Sequence, residues 1–309
     1  MAGLGGGSHD TVTTQANFIP EIWSDEVLGA YKQNLVASML VKKIGFKGKK
    51  GDTIHVPVPG RGAAHTKTAE TVVTLNTDTA STLPISINRH FEYSRLIEDI
   101  AEVQRLASAR AFYTDDAGYA LAKQVDTDLL ANAATFQAGT AYSTAVIGSD
   151  GTTVWDGSAS TNTGNGADLT DAGIRRAIQT LDDNDVPLDR RVLLINPGQK
   201  NVLLGITRFS SSDFIGNDPR VKSGKFGDVY GVSVYVTTNL PTVTADDTTT
   251  NYKVCILMNQ EAIVHAEQLA VRTQTQYKQE YLGTLFTADT IYGTATYRDE
   301  AGVGIVVPV

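Results

Sequence analysis

Leu106-Ala-Ser-Ala-Arg-Ala-Phe-Tyr-Thr-Asp-Asp-Ala-Gly-Tyr-Ala-Leu-Ala-Lys-Gln-Val-Asp-Thr-Asp-Leu-Leu-Ala-Asn-Ala133 decides how this chain is read. Leu106, Ala109, Tyr113, Ala117, Leu121, Val125 and Leu129 recur every three or four residues, which lines one face of a helix with apolar side chains. Arg110, Asp115, Asp116, Lys123, Gln124, Asp126 and Asp128 fall largely off that face. At 1.5 Å per residue, about 28 residues span roughly 42 Å. The mean helix has about 11–12 residues. Gly118 weakens the pattern by about 1 kcal/mol relative to Ala. The residues from Ser94 onward, with the carboxylates Glu98 and Asp99, read as a short helical turn leading into the long helix. The rest of the chain reads mostly as strands and loops, so the helix is expected to brace a sheet.

Composition narrows the function. At 309 residues with 41% apolar and 19% charged content, the chain is globular and long enough for two lobes or one large mixed domain. Its net charge of −8 argues against a strongly basic nucleic-acid binder, because neutralising phosphates needs clustered Lys and Arg. The single cysteine, Cys255, excludes an intramolecular disulfide and a cysteine zinc cluster. It sits in the apolar run Tyr252-Lys-Val-Cys-Ile-Leu-Met258, where a buried small hydrophobe is expected. No run approaches the roughly 18 apolar residues of a membrane span. Met1-Ala-Gly-Leu-Gly-Gly-Gly-Ser-His-Asp10 has neither the basic region nor the apolar stretch of a secretory signal and reads as a flexible arm.

Before the long helix the chain is extended. Pro20 and the acidic Glu21, Asp25 and Glu26 open a short helix with Trp23, Val27 and Leu35 on its buried side. Five lysines between Lys42 and Lys50 read as either a basic contact patch or a solvated turn. Asp52-Thr-Ile-His-Val-Pro-Val58 alternates as a half-buried strand, and Pro57 and Pro59 confine it to a sheet edge. A Gly- and Ala-rich tip, Gly60-Arg-Gly-Ala-Ala64, is followed by return strands at Thr71-Val-Val-Thr-Leu75 and Leu83-Pro-Ile-Ser-Ile-Asn-Arg-His90. Residues 46–91 thus form a long two-stranded excursion. A hairpin of two strands does not bury a core of its own, so something outside its parent domain must cover it.

After the helix, residues 136–168 dissolve into Gly, Ser, Thr and Asn, an insertion or flexible loop with a small hairpin around Trp155. A helix capped by Asp168 or Thr170 carries Ile174, Ala177, Ile178 and Leu181 on one face. Val192-Leu-Leu-Ile195 is a buried strand, Asn196-Pro-Gly198 a turn into a second helix, and Gly231-Val-Ser-Val-Tyr-Val-Thr-Thr238 another strand. Strands follow at 254–258, 271–281, 284–297 and 303–307, with a short apolar-faced segment at 261–268.

Catalytic signatures are missing from the sequence. His9, His55, His65, His90 and His265 are scattered without metal-ligand spacing, and there is no phosphate-binding loop or nucleophile elbow. Asp182-Asp-Asn-Asp185 lacks the spaced ligands and terminal Glu of a calcium loop and reads as a solvated helix end.

The order of parts resembles the major capsid protein of tailed bacteriophages, the Hong Kong 97 type of coat fold. The matching pieces are the N-terminal arm, an extended loop opening at Gly48-Lys-Lys-Gly-Asp-Thr-Ile-His-Val56, and the long helix. They continue with the segment Gly224-Lys-Phe-Gly-Asp-Val-Tyr-Gly-Val-Ser-Val-Tyr-Val-Thr-Thr-Asn-Leu-Pro241 and a terminal strand within 298–307. The resemblance implies an α+β shell protein without catalytic site or cofactor. Its parts would be an N-terminal arm with a short helix (1–45), an E-loop (46–91), a P-domain with spine helix and long strands (92–135 and 266–298), a flexible insertion (136–168) and an α/β A-domain (169–265 and 299–309).

It further implies self-assembly into pentamers and hexamers of an icosahedral head enclosing double-stranded DNA, which is bound without sequence specificity. The implied partners are further copies of the chain, a separate scaffolding protein (no scaffolding region fits before Phe18), a portal protein and, as a further candidate, a decoration protein. No membrane partner is implied. Assembly in the host cytoplasm and residence in the virion follow. Candidate contacts between subunits are Phe18, Trp23, Lys49, Lys50, His55, Arg61, Lys67, Arg220 and Lys222. Some family members cross-link through a Lys and an Asn, and no such pair is identifiable here. Two alternatives stand beside this reading: a bacterial nanocompartment shell of the same fold, and a small-molecule α/β enzyme using the turn at Asn196-Pro-Gly198.

Overall fold

The computed structural model describes residues 35–45, 51–58, 62–76, 81–99, 108–136, 146–148, 154–155, 166–206, 227–245 and 249–309. The long helix, α2 (Ser108–Ala131), follows a one-turn helix, α1 (Ala37–Leu40), that packs against it. The first strands are β1 (Lys42–Gly45), β2 (Thr53–Val58), β3 (Ser81–Ser86) and β4 (Arg89–Glu98). After α2 come β5 (Val146–Ile147), α3 (Asp171–Asp183), β6 (Arg191–Ile195), α4 (Pro197–Gly205), β7 (Asp228–Val229), β8 (Val232–Val236) and β9 (Thr242–Thr244). Four longer strands complete the chain: β10 (Asn251–Asn259), β11 (Ile263–Lys278), β12 (Gly283–Thr296) and β13 (Gly302–Pro308).

Two sheets flank the helix. A four-stranded sheet runs in the order β1-β11-β12-β4, and a seven-stranded sheet runs β5-β13-β10-β6-β8-β7 with β9 on β10. The helix enters the cores of both. Ala117 and Leu121 pack with Ala288, Phe91, Tyr93 and Phe286 of the four-stranded sheet. Leu129 and Leu130, 0% and 1% exposed, join the larger core with Leu193, Ile256 and Ile305 of the other sheet. One amphipathic helix therefore supplies two cores in succession along its length.

Of the two caps expected for the first helix on the seven-stranded sheet it is Thr170 that serves, and the residue opening the turn before the second, Asn196, caps that helix as well. Thr170 accepts from Gly173 N at the start of α3, and Asn196 accepts from Gln199 N at the start of α4. Ile174, Ala177 and Leu181 are buried. Every residue of β6 is buried, as expected of a strand covered on both faces.

Several segments differ from the sequence reading. Residues 94–98 are not a helical turn: they end β4, which pairs antiparallel with β12 from Arg89–Tyr292 to Glu98–Gly283. Phe91 and Tyr93, two apart, both meet the helix side of the sheet, and Tyr93 Oη donates to Asp116 on α2 at 3.3 Å. A period of two beats the local helical preference because the pairing is tertiary. Glu98 accordingly ends β4, whereas Asp99, the next residue, is helical as expected. Lys42 and Lys43 belong to β1, paired in parallel with β11, instead of a turn. Residues 71–75 form no strand, and the expected strand over 83–90 is two strands, β3 and β4. The segments at 261–268 and 271–281 merge into one strand, β11, with irregular register around Leu269. The supposed insertion contributes β5 to the large sheet, and Trp155 is buried beside Tyr252 and Val306.

Close approach explains one glycine directly. Gly293 on β12 faces Ser86 at the foot of the β2–β3 ribbon, and a Cβ there would lie 2.4 Å from the Ser86 carbonyl oxygen. Gly293→Ala is expected to lower the stability of the unassembled subunit by about 1–3 kcal/mol, the usual cost of overpacking. Urea unfolding measures it, and an unchanged midpoint would contradict the crossing.

Candidate assembly surfaces

The β2–β3 ribbon has a covered foot and a bare tip. At the foot, Ile85 is fully buried with Val264 and Ala266 of β11, and Ile54 and Val56 lean on the same cluster. Ile87 N donates to Asp52 O at 2.7 Å, and Gln268 Nε2 to Gly51 O at 3.1 Å. The parent sheet thus covers the root of the ribbon, which the sequence reading assigned wholly to a neighbour.

Residues 62–76 are exposed throughout. Val72, Val73 and Leu75 are 90%, 60% and 81% exposed. Local polar contacts shape this segment without covering it: Asn76 donates to Ala63 O and bonds His65 Nε2, and Thr71 Oγ1 and Lys67 Nζ both donate to Thr68 O. Large apolar side chains in water at a projecting loop mark a contact site. A second exposed group closes the far end of the four-stranded sheet, where Tyr277, Tyr281 and Leu282 surround the β11–β12 turn.

Of the residues expected at contacts, His55 lies exposed on β2 opposite Pro84, and Lys67 lies on the exposed loop. Phe18, Trp23, Lys49, Lys50, Arg61, Arg220 and Lys222 lie outside the described residues. Val72, Val73 and Leu75 were legible only as strand formers, since β-branched residues read the same whether paired or bare.

Buried carboxylates hold these surfaces on the molecule. Asp126 and Asp128, expected off the buried face of α2, are 1% and 7% exposed. Asp126 accepts from Ala37 N at 2.7 Å and Asn239 Nδ2 at 3.0 Å. Burial raises its pKa, and those hydrogen bonds counter the rise in part. Asp128 pairs with Arg89 of β4 at 2.7 Å and accepts from Tyr292 Oη of β12 at 2.7 Å. Burial, and then the Asp128 carboxylate, push the Tyr292 phenol above its ordinary value. On the outer side of the same sheet Asp289 accepts from Arg272 Nε at 2.7 Å and Nη2 at 3.0 Å, with His90 Nε2 at 3.1 Å. The Arg272 hydrogen bonds hold the Asp289 carboxyl below its usual range.

The places an enzyme would need are otherwise employed. Asn196 caps a helix, and Gln199 beside it accepts from Leu169 N and donates to Asp168. Burial pushes the Cys255 thiol up to about 12, which suppresses the thiolate at neutral pH. A cleft of about 540 Å³ lies between Pro57 and Val58 of the ribbon and the 184–187 turn, with Glu261, Tyr297 and Arg298 on its wall. Among the described residues no group of His, Cys, Asp and Glu could hold a metal ion, and no helix is long and apolar enough to cross a membrane.

The sequence matches the family model described as "Phage capsid protein" over residues 23–307. The chain belongs to the phage capsid protein family. This capsid protein is similar in structure to a solved chain from Mycobacterium phage Che8, at 22% identity and TM-score 0.72, over 94% of this chain and 97% of that one. It is also similar to the capsid chain of cyanophage P-SCSP1u, at 18% identity and TM-score 0.75, over 99% and 97%. The head structure of Helicobacter pylori bacteriophage KHP40 matches at 13% identity and TM-score 0.72, over 98% and 99%. No curated sequence matches it. The α+β fold is that of phage major capsid proteins, the Hong Kong 97 type, and the family is a structural one rather than an enzyme family. Self-association into a multi-subunit shell and a place in the virion go with that membership.

Two outcomes test the electrostatic framework. Asp128→Ala strands the buried Tyr292 hydroxyl and unpairs Arg89, and is expected to cost about 2–3 kcal/mol. Much of that loss should vanish in a Tyr292→Phe background, read from a double-mutant cycle of urea midpoints. Asp289 has a depressed folded pKa, so its contribution is full above the unfolded carboxylate value of about 3.9 and is lost as pH falls through the lower folded value. The stability gap between the wild type and Asp289→Asn should therefore hold steady above about pH 5 and narrow in acid. A gap that widens in acid would contradict the Arg272 pairing.

Proposed function

We propose that this protein is the major head-shell subunit, assembling into pentamers and hexamers of an icosahedral shell around a double-stranded DNA genome. The observation that carries the reading is the bare tip of the ribbon. Val72, Val73 and Leu75 stand in water on an arm whose foot the subunit covers and whose end it does not. Burying apolar surface gains roughly 25 cal/mol per Å², and a closed shell offers that burial at every copy.

The remaining partners follow from the same role. A separate scaffolding protein guides curvature, a portal protein occupies one vertex, and a decoration protein is a further candidate for the outer surface. Assembly takes place in the host cytoplasm. DNA is enclosed without sequence-specific contacts, in keeping with a net charge of −8. The E-loop (46–91), the P-domain parts (92–135 and 266–298) and the A-domain parts (169–265 and 299–309) serve as the contact arm, the wall and the capsomer centre. His55 and Lys67 are proposed contacts on that arm, and Phe18, Trp23, Lys49, Lys50, Arg61, Arg220 and Lys222 remain proposed contacts elsewhere.

Expression of the chain, with and without its candidate scaffold, followed by negative-stain microscopy tests the reading: closed shells are expected. Replacing Val72, Val73 and Leu75 together by Ser should leave the subunit's melting behaviour almost unchanged, within about 0.5 kcal/mol per exposed site, while shells fail to form. Normal shells from that variant would overturn the role given to the tip.

A further inference from the structure

The four-stranded sheet leaves a long edge open. β1 pairs with β11 only from Val264 to Glu267, whereas β11 runs on to Lys278. Among the described residues no strand pairs with the outer side of residues 269–277. Residues 270–277 are exposed one after another, so both faces of the strand meet water. The stretch Leu269-Ala-Val-Arg-Thr-Gln-Thr-Gln-Tyr277 contains β-formers and neither Pro nor Lys. Proteins that keep such an edge free usually guard it with those residues or with a charge aimed outward. The one charge here, Arg272, is tied to Asp289 on the inner neighbour, β12, by two hydrogen bonds. This edge is unguarded.

The same chain carries a run of strand-forming residues that belongs to no sheet. Residues 71–76, Thr-Val-Val-Thr-Leu-Asn, bear no charge and pair with no strand. Their ends are fixed: Glu70 takes a left-handed φ of 63°, and Asn76 is tied back to Ala63 and His65. The segment is presented, uncovered, on the projecting loop.

Accepting the shell reading above, we propose that residues 71–76 of one copy add as a strand to the open β11 edge, residues 269–277, of a neighbouring copy. At about 3.3 Å per residue the segment spans roughly 20 Å and the edge roughly 30 Å, so it fits with room for choice of register. Strand addition satisfies backbone groups on both sides and sets Val73 and Leu75, which share one face of an extended strand, on the face of Val271 and Tyr277, 53% and 49% exposed in the lone subunit. Neither partner strand carries an unpaired charge that would have to be desolvated.

Disulfide trapping in assembled shells tests the proposal. Val73→Cys subunits are mixed during assembly with subunits carrying Thr273→Cys or Thr275→Cys, and the shells are oxidised. The native thiol, Cys255, is buried and gives no background. Linked dimers on a non-reducing gel, lost on reduction and absent when Val73→Cys is mixed with Thr180→Cys on α3, are expected. Hydrogen exchange on unmodified protein gives a second readout: amides in 71–76 and 269–277 should slow together on assembly. Shells that form with every thiol free and with exchange unchanged in both segments would overturn the strand addition while leaving the shell reading intact. Failure of the unmodified chain to form any shell, even with its scaffold, would overturn both.

Discussion

Two carboxylates set two apart on one helix hold this subunit together. Residues i and i+2 are about 200° apart around a helix of 3.6 residues per turn, so Asp126 and Asp128 face opposite sides. Asp126 reaches the segment ahead of β1 through Ala37 and the seven-stranded half through Asn239. Asp128 reaches β4 through Arg89 and β12 through Tyr292. The helix is thereby fixed in rotation as well as in position. The two groups are not equivalent in energy. Asp128 has a cation beside it, whereas Asp126 meets neutral donors alone, and burial raises its pKa, so its ionisation opposes folding and that cost is relieved as pH falls. Buried polar contacts of this sort give one arrangement in place of several.

With the helix fixed, the ribbon's position follows. Ile85 and its neighbours bind the foot to the four-stranded sheet, and Gly293 supplies the space for the crossing. Beyond the foot the described residues offer no further cover. The root is satisfied within the subunit, while Val72, Val73 and Leu75 at the tip stand exposed. An arm bare along its whole length would be frayed in the free subunit, and one covered along its whole length would have nothing left to give a neighbour.

The same economy appears at the sheet edges. β4 carries Arg89, His90, Glu92, Arg95 and Glu98 along the outer strand, which discourages pairing with a wrong chain. The open stretch of β11, residues 269–277, carries a single charge, Arg272, that is already bound. One edge is closed by charge and the other left open, an asymmetry that favours one mode of association over the opposite one.

The long helix, the cap at Thr170, the turn into a helix at Asn196, the buried strands β6, β10 and β13 and the inert cysteine could all be read from local pattern, because the periodicities of 3.6 and 2 and the capping and turn chemistry are properties of consecutive residues. The order of parts was enough to suggest the coat fold. What the chain could not disclose by itself was pairing. Residues 94–98 became a strand because β12 lies beside them, and residues 71–75, equally rich in strand formers, did not, since no partner among the described residues pairs with them. Asp126 and Asp128 looked like solvent-facing residues until the tertiary fold brought Asn239, Arg89 and Tyr292 around them. A strand's existence and a carboxylate's burial both depend on groups far away along the chain, and only the folded chain brings those groups into reach.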